Sequence, residues 1–110
     1  MNESEIFKVF SSGTRLKILE ILLEGRICVS VIADMLKMSQ PTVTQHLKVL
    51  KNAGLIGSRK VGYWMHYYID EAGLKKAKDK VNRYMEKLNV KGTGCRVSPE
   101  RCPKNISLKK

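Results

Sequence analysis

The chain has 110 residues, 43% of them hydrophobic, and a net charge of +11. That length suits one domain with a modest core, and the composition excludes a disordered chain. No run of 18 apolar residues occurs, which excludes a transmembrane helix. Three cysteines, an odd number, do not make a secreted disulfide framework.

The acidic start, "MNESEIFKVF", lacks the apolar core of a signal peptide, so a cytoplasmic location with reduced thiols is expected. Charge is unevenly spread: residues 1–36 carry −1, 37–69 carry +5 with no acidic side chain, 70–90 carry +2 and 91–110 carry +5. A block free of carboxylates makes a positive field that draws polyanions. The bland alternative is a solvated basic face kept for solubility.

In chain order, "ESEIFKVF" predicts a short helix with Ile6, Phe7 and Phe10 near one face. From Thr14 to Glu24, Leu16, Leu19, Leu22 and Leu23 predict a second helix that Gly25 closes. "RICV" reads as a short extended link, and Ser30 as the N-cap of a third helix carrying Ile32 and Leu36. Lys37 and Met38 form a tight turn. Ser39 then caps a fourth helix with Pro41 in its first turn, where a missing N–H costs nothing, and Asn52-Ala53-Gly54 ends it.

After this point the period changes from helical to alternating. "LIGSRKVGYWMHYYID" predicts a β-hairpin with its turn at Val61-Gly62, placing Tyr63, Met65, Tyr67 and Ile69 on one face and Trp64, His66 and Tyr68 on the other. A last helix, about Ala72 to Leu88, carries an apolar stripe of Leu74, Ala77, Val81, Tyr84, Met85 and Leu88. Beyond Gly92-Thr93-Gly94 there is no periodicity. The expected fold class is mainly α (α+β): a winged helix-turn-helix with a two-stranded β-hairpin wing and a long C-terminal helix. Residues 1–90 are expected to form the folded domain, and 91–110 a basic, cysteine-containing tail.

The fourth helix carries the functional signal. On a helical wheel Val43, Leu47 and Leu50 form the buried stripe and Gln45 lies opposite, flanked by Pro41, Thr44 and Lys48 on one side and Thr42 and Val49 on the other. A short helix, a tight turn and this helix make a helix-turn-helix, whose second helix lies in the DNA major groove. Gln offers adenine a donor and an acceptor together, and Thr bonds a base or packs on a thymine methyl. Ser39, with the N–H groups at the helix start, suits a phosphate. Lys48 and Lys51 add salt-sensitive attraction. Arg59 and Lys60 sit just before the hairpin turn, where a wing reaches a minor groove or phosphate. The candidate DNA-binding residues are therefore Ser39, Gln40, Thr42, Thr44, Gln45, Lys48, Arg59 and Lys60.

In that order and spacing, "FSSGTRLKILEILLEG", "SQPTVTQHLKVLKNAGLI" and "SRKVGYWMHYYID" resemble the ArsR/SmtB family of metal- and metalloid-responsive winged-helix repressors, over roughly residues 5–90. One departure is Ser12-Gly13, where the family more usually has Asp-Pro, which alters the helix start. The resemblance implies a homodimer in which the first and last helices pair, reading a pseudo-palindromic double-stranded operator, with no membrane role. Arsenic-sensing members often carry a Cys-Val-Cys pair at the start of the first helix of the helix-turn-helix. Here Cys28 matches the first cysteine and Ser30 replaces the second. Another family site uses Asp, His and Glu on the last helix, and this chain's last helix has no His.

Two further thiols, Cys95 and Cys102, lie in the tail beside Arg96 and Arg101, which favour thiolates. Together with Cys28 they form a candidate three-sulfur site for trivalent arsenic or antimony, or another thiophilic ion, as effector. Cys95 and Cys102 are the primary ligands and Cys28 the weaker; no organic cofactor is expected. A Cys95–Cys102 disulfide switch, or incidental thiols, are the alternatives. For His46 and His66, packing or hydrogen bonding is expected rather than metal ligation. The motifs of phosphate-loop, serine-hydrolase and zinc-protease chemistry are all missing, so an enzyme is not expected. The rival to a repressor is a winged-helix module that binds protein or carries metal without a DNA role.

Overall fold

The computed structural model describes residues 1–97 and Glu100. Five helices and three strands follow in the order α1 (Glu3–Phe10), α2 (Gly13–Leu22), β1 (Ile27–Cys28), α3 (Val29–Leu36), α4 (Gln40–Asn52), β2 (Ile56–Val61), β3 (Trp64–Ile69) and α5 (Glu71–Lys87). The fold is the winged helix-turn-helix expected, with a third strand added to the wing.

Helix starts follow local chemistry. Asn2 caps α1 through a reciprocal box: its side chain accepts from the Glu5 N–H and its own N–H donates to the Glu5 carboxylate. Ser12 caps α2 by accepting from the N–H of Arg15, so the departure at Ser12-Gly13 does set a helix start. Asp70 caps α5. The cap expected at Ser30 is not formed. Strand pairing holds the chain extended through Cys28, which becomes the N-cap position of α3, and Ser30 falls inside the first turn. Its hydroxyl lies 3.2 Å from the Cys28 sulfur instead.

The core collects Ile18, Leu19 and Leu22 of α2, Ile32 and Ala33 of α3, Val43, Leu47 and Leu50 of α4, Leu55 and Ile56 at the start of β2, and Ala77 of α5. Each of the larger aliphatic side chains contributes roughly 1.5–3 kcal/mol by leaving water. Two helix faces differ from the sequence expectation. In α1, Ile6 and Val9 are the buried pair; Phe10 is half-buried against the core, and Phe7 turns to meet Tyr84 of α5 edge-on at 5.4 Å. In α2, Leu16 and Leu23 lie outside the buried stripe and are exposed, because Ile18, Leu19 and Leu22 already fill the face turned inward.

Lys37, at φ 54°, turns the chain from α3 into α4. The sheet order is β1-β3-β2, all antiparallel. What the sequence presents as an extended link pairs Ile27 with Tyr67 and Cys28 with His66. The hairpin turn is Gly62-Tyr63 rather than Val61-Gly62, since Val61 pairs with Trp64. Gly62 adopts a positive φ, as the first central residue of a type II′ turn requires. The two strand faces are those expected, with Tyr67 and Ile69 packed against the core. Along α5, Leu74 and Ala77 join the core, whereas Met85 and Leu88 remain exposed. No described helix is long and apolar enough to cross a membrane.

Gly73, in the first turn of α5, has no room for a side chain: a Cβ there would collide with the backbone carbonyl oxygen of Gly54, in the α4–β2 connection. Gly→Ala inside a helix normally stabilises by about 1 kcal/mol. Here the obstacle is backbone and cannot swing away, so Gly73→Ala is expected to reverse the sign and destabilise by about 1–3 kcal/mol. Urea unfolding of the two proteins side by side checks it; an unchanged or higher midpoint contradicts the packing of α5 on that turn.

Candidate nucleic-acid interface

The start of α4 is built by Ser39, whose Oγ accepts from the N–H of Thr42 and lies 2.8 Å from the Thr42 hydroxyl. Val43, Leu47 and Leu50 are fully buried, so the opposite face is fixed outward. Ser39, Gln40, Thr42, Gln45 and Lys48 are exposed and Thr44 is half-buried. Thr42 has its hydroxyl engaged in the cap. The helix start offers less to a phosphate than its sequence suggests. Pro41 has no N–H, Thr42 gives its own to Ser39 and Val43 gives its own to the Ser39 carbonyl, which leaves at most the N–H of Gln40.

The helix is held in place by Arg15. Its guanidinium donates to the carbonyls of Val9 at 2.7 Å and Lys8 at 3.0 Å, closing the end of α1, and approaches Nδ1 of His46 on α4 at 3.4 Å. Arginine can only donate, so that nitrogen accepts and the ring proton sits on Nε2. His46 thus has the hydrogen-bonding role expected of it. At the other end, Lys51 donates to the Ser58 hydroxyl at 2.5 Å. Lys51 therefore ties α4 to β2 as well as adding charge.

In the wing, Arg59 and Lys60 are exposed and, as neighbours on a strand, leave on opposite faces of the ribbon. Two residues given no role from the sequence stand at its tip: Tyr63 is 99% and Trp64 60% exposed. The signal was available, since both follow the turn glycine within four residues of Arg59-Lys60. No Asp or Glu occurs anywhere between residues 37 and 69, so nothing on α4 or the wing opposes a polyanion.

Two of the three candidate thiols fall within the described residues. Cys28 is half-buried at the end of β1; Cys95 is exposed in the irregular stretch after α5, and Cys102 lies outside the described residues. Among the described residues no three His, Cys, Asp or Glu side chains gather to hold an ion, so a three-sulfur set is not built from them alone. The Cys28 thiol is nevertheless pulled below its ordinary pKa, chiefly by the Ser30 hydroxyl and then by the Val31 backbone N–H, against the opposing effect of burial. Across the sheet, His66 is half-buried, as the packing alternative expected for it allows, and its Nδ1 is buried with no hydrogen-bond partner among the described residues.

A model of the family described as bacterial regulatory protein, arsR family, matches residues 12–58, from the cap of α2 into β2. An uncharacterized HTH-type transcriptional regulator of Methanocaldococcus jannaschii is 49% identical over 73 residues, 66% of this chain and 82% of that protein. The arsenical resistance operon repressor of Staphylococcus xylosus is 33% identical over 92 residues, 84% of this chain and 85% of that repressor. Among solved structures, the homodimeric winged helix-turn-helix DNA-binding domain of a possible ArsR-family regulator from Mycobacterium bovis superposes with a TM-score of 0.62 at 29% identity, covering 78% of this chain and 81% of that one.

The Ser30 hydroxyl bond makes a pH prediction. It stabilises the Cys28 thiolate, so alkylation of Cys28 by iodoacetamide in a Cys95→Ser/Cys102→Ser background is expected to rise with pH around a midpoint below that of a free cysteine. Removing the bond favours the protonated form, and Ser30→Ala is expected to shift the midpoint upward. Identical pH profiles for the two proteins would count against the contact.

Proposed function

The chain belongs to the ArsR family of winged helix-turn-helix, DNA-binding transcriptional regulators, and from that membership we propose that it is a cytoplasmic homodimeric repressor released from its operator by a thiophilic metal or metalloid. The observation that carries the DNA reading is the acid-free outward face of α4 beside a basic wing. Gln40, Thr42 and Gln45 meet base edges in the major groove, with Thr44 at the margin. Ser39 and Lys48 approach the backbone. Arg59 and Lys60 bring the wing to the adjoining minor groove or phosphates, with Tyr63 and Trp64 at its tip.

Dimerisation is supported by the uncovered end of the α5 stripe. Tyr84 leans on Phe7 of α1, and Met85 and Leu88 lie exposed beyond it, an apolar surface that one small core does not use. A two-fold pair joined there reads a pseudo-palindrome with half-sites roughly 34–36 Å apart, or a multiple of that.

For the effector, the support is chemical. Cys28 is held toward its thiolate and occupies the first position of the family's cysteine pair; Cys95 and Cys102 supply further sulfur from the tail. Three thiolates suit trivalent arsenic or antimony, and the Staphylococcus xylosus relative is named for arsenical resistance. Release requires the bound form to hold the two recognition helices at a spacing that DNA does not accept.

Binding of reduced protein to its upstream promoter fragment, followed by fluorescence anisotropy across a salt series with and without arsenite, tests the reading. Gln45→Ala is expected to lose about 1–3 kcal/mol on the operator and little on random DNA, while Lys48→Ala weakens all sequences alike and lowers the salt slope by about 1. Arsenite is expected to release the operator from the parent protein and not from the triple Cys→Ser variant. Absence of salt-dependent DNA binding would overturn the repressor; arsenite-indifferent binding would discard the metalloid effector alone.

A further inference from the structure

The wing ends in apolar surface that the fold does not use. Tyr63, in the turn, is 99% exposed and Trp64 beside it 60%, and Val61 and Met65 next to them are exposed as well. Tyr63 is the second central residue of the Gly62-Tyr63 turn, a position that usually takes a small polar residue such as Asn, Asp or Ser. A ring held wholly in water adds nothing to the core, and an exposed apolar patch is a liability unless it meets a partner. The charge around it is positive: Arg59 and Lys60 lie just behind the turn, and no carboxylate occurs between residues 37 and 69. We propose that Tyr63 is an aromatic wedge, which enters the minor groove of duplex DNA, inserts its ring at a flexible pyrimidine–purine step and bends the duplex there. The wedge rests on the DNA-binding reading of α4 and the wing, and it adds selection of a step that no side chain of α4 touches.

The shape of the wing limits what can enter the groove. From the buried Ile56 to Val61, β2 reaches out by roughly 17 Å, and its outer half is exposed. The minor groove is about 6 Å wide and about 7.5 Å deep. Two strands about 4.8 Å apart, with side chains on both faces, do not pass into it, whereas a single flat ring at the turn does. The mount is firm. β3 is paired with β1 as well as with β2, and Lys51 of α4 donates to the Ser58 hydroxyl of β2. The tip therefore meets a duplex in a fixed relation to the recognition helix.

The balance of stacking energies makes the wedge selective. Opening a base step for a side chain costs about as much as stacking a ring on a base returns. The identity of the step then sets the sign. TA and CA/TG steps unstack and kink easily, while A-tracts are stiff. An anionic lipid surface offers the tip the same charge, but the tip is held to α4, whose exposed Gln40, Thr42 and Gln45 have nothing to read on a lipid.

The test uses the full chain and its upstream promoter fragment, with a donor and an acceptor dye at the two DNA ends. Anisotropy reads binding, energy transfer reads the bend, and emission of Trp64, the chain's single tryptophan, reads the tip. Binding of the parent protein is expected to raise transfer and quench Trp64. Tyr63→Ser suits the turn and removes no core contact. It is expected to bind roughly tenfold more weakly with the bend diminished and the salt slope unchanged, because stacking is lost and no phosphate contact is. Tyr63→Phe is expected to restore the bend, since the ring and not the hydroxyl is the wedge. From a pool of randomised duplexes the parent enriches a TA or CA/TG step that Tyr63→Ser does not. Binding without a bend, or a bend that Tyr63→Ser retains, overturns the wedge and leaves the repressor standing. A lower salt slope for Tyr63→Ser makes the residue a backbone contact and overturns it too. Trp64 emission that answers to phosphatidylglycerol vesicles, or to protein concentration alone, and not to DNA gives the tip to a lipid surface or a second copy instead. Absence of binding by anisotropy overturns the DNA reading and the wedge with it, and that channel tells the two failures apart.

Discussion

Burial of Val43, Leu47 and Leu50 against α2 and α3 is the constraint on which the molecule turns. A helix that sinks one narrow stripe completely has its opposite face determined by geometry. For α4 that face carries Gln40, Gln45 and Lys48, and its cap at Ser39 and clamp at Arg15 set where the helix begins and how it leans. Arg15 does this from α2 by closing the end of α1 with the same guanidinium. One side chain thus couples the segment assigned to dimerisation with the segment assigned to DNA, a short route by which movement in one could reach the other.

The sheet supplies a second coupling. A wing of two strands would hang from the body only through its ends. Pairing of β1 with β3 anchors the returning strand beside the first helix of the helix-turn-helix, and the Lys51–Ser58 bond anchors the outgoing strand beside the second. The wing and the recognition helix are therefore held as one surface, with Cys28 at the seam. Its neighbour Ser30 gives that thiol a hydrogen-bond partner.

At the far end of the chain the balance differs. The first turn of α5 is pinned: Asp70 caps it and Gly73 lies against the Gly54 carbonyl with no space between. Its later turns leave Met85 and Leu88 uncovered, while Tyr84 meets Phe7 of α1. A helix anchored at one end and apolar at the other is suited to a second copy of itself.

The sequence by itself determined the helix-turn-helix, the wing, the stripe of α4 and the acid-free stretch around it. All of these depend on local periodicity, on capping residues such as Ser39 and on composition, which act within a few residues. Tertiary structure decided what depends on pairing across distance. The "RICV" link became a strand because β3 offered it an edge, and that pairing moved the α3 cap from Ser30 to Cys28. Leu16 and Leu23 were left outside because other α2 side chains filled the inward face, and Val9 displaced Phe7 in the burial of α1 because α5 drew the ring away. Cys28 and His66 stand 38 positions apart in the chain, and nothing in either neighbourhood announces the other. Only the antiparallel register, a consequence of how the core packs, sets them side by side.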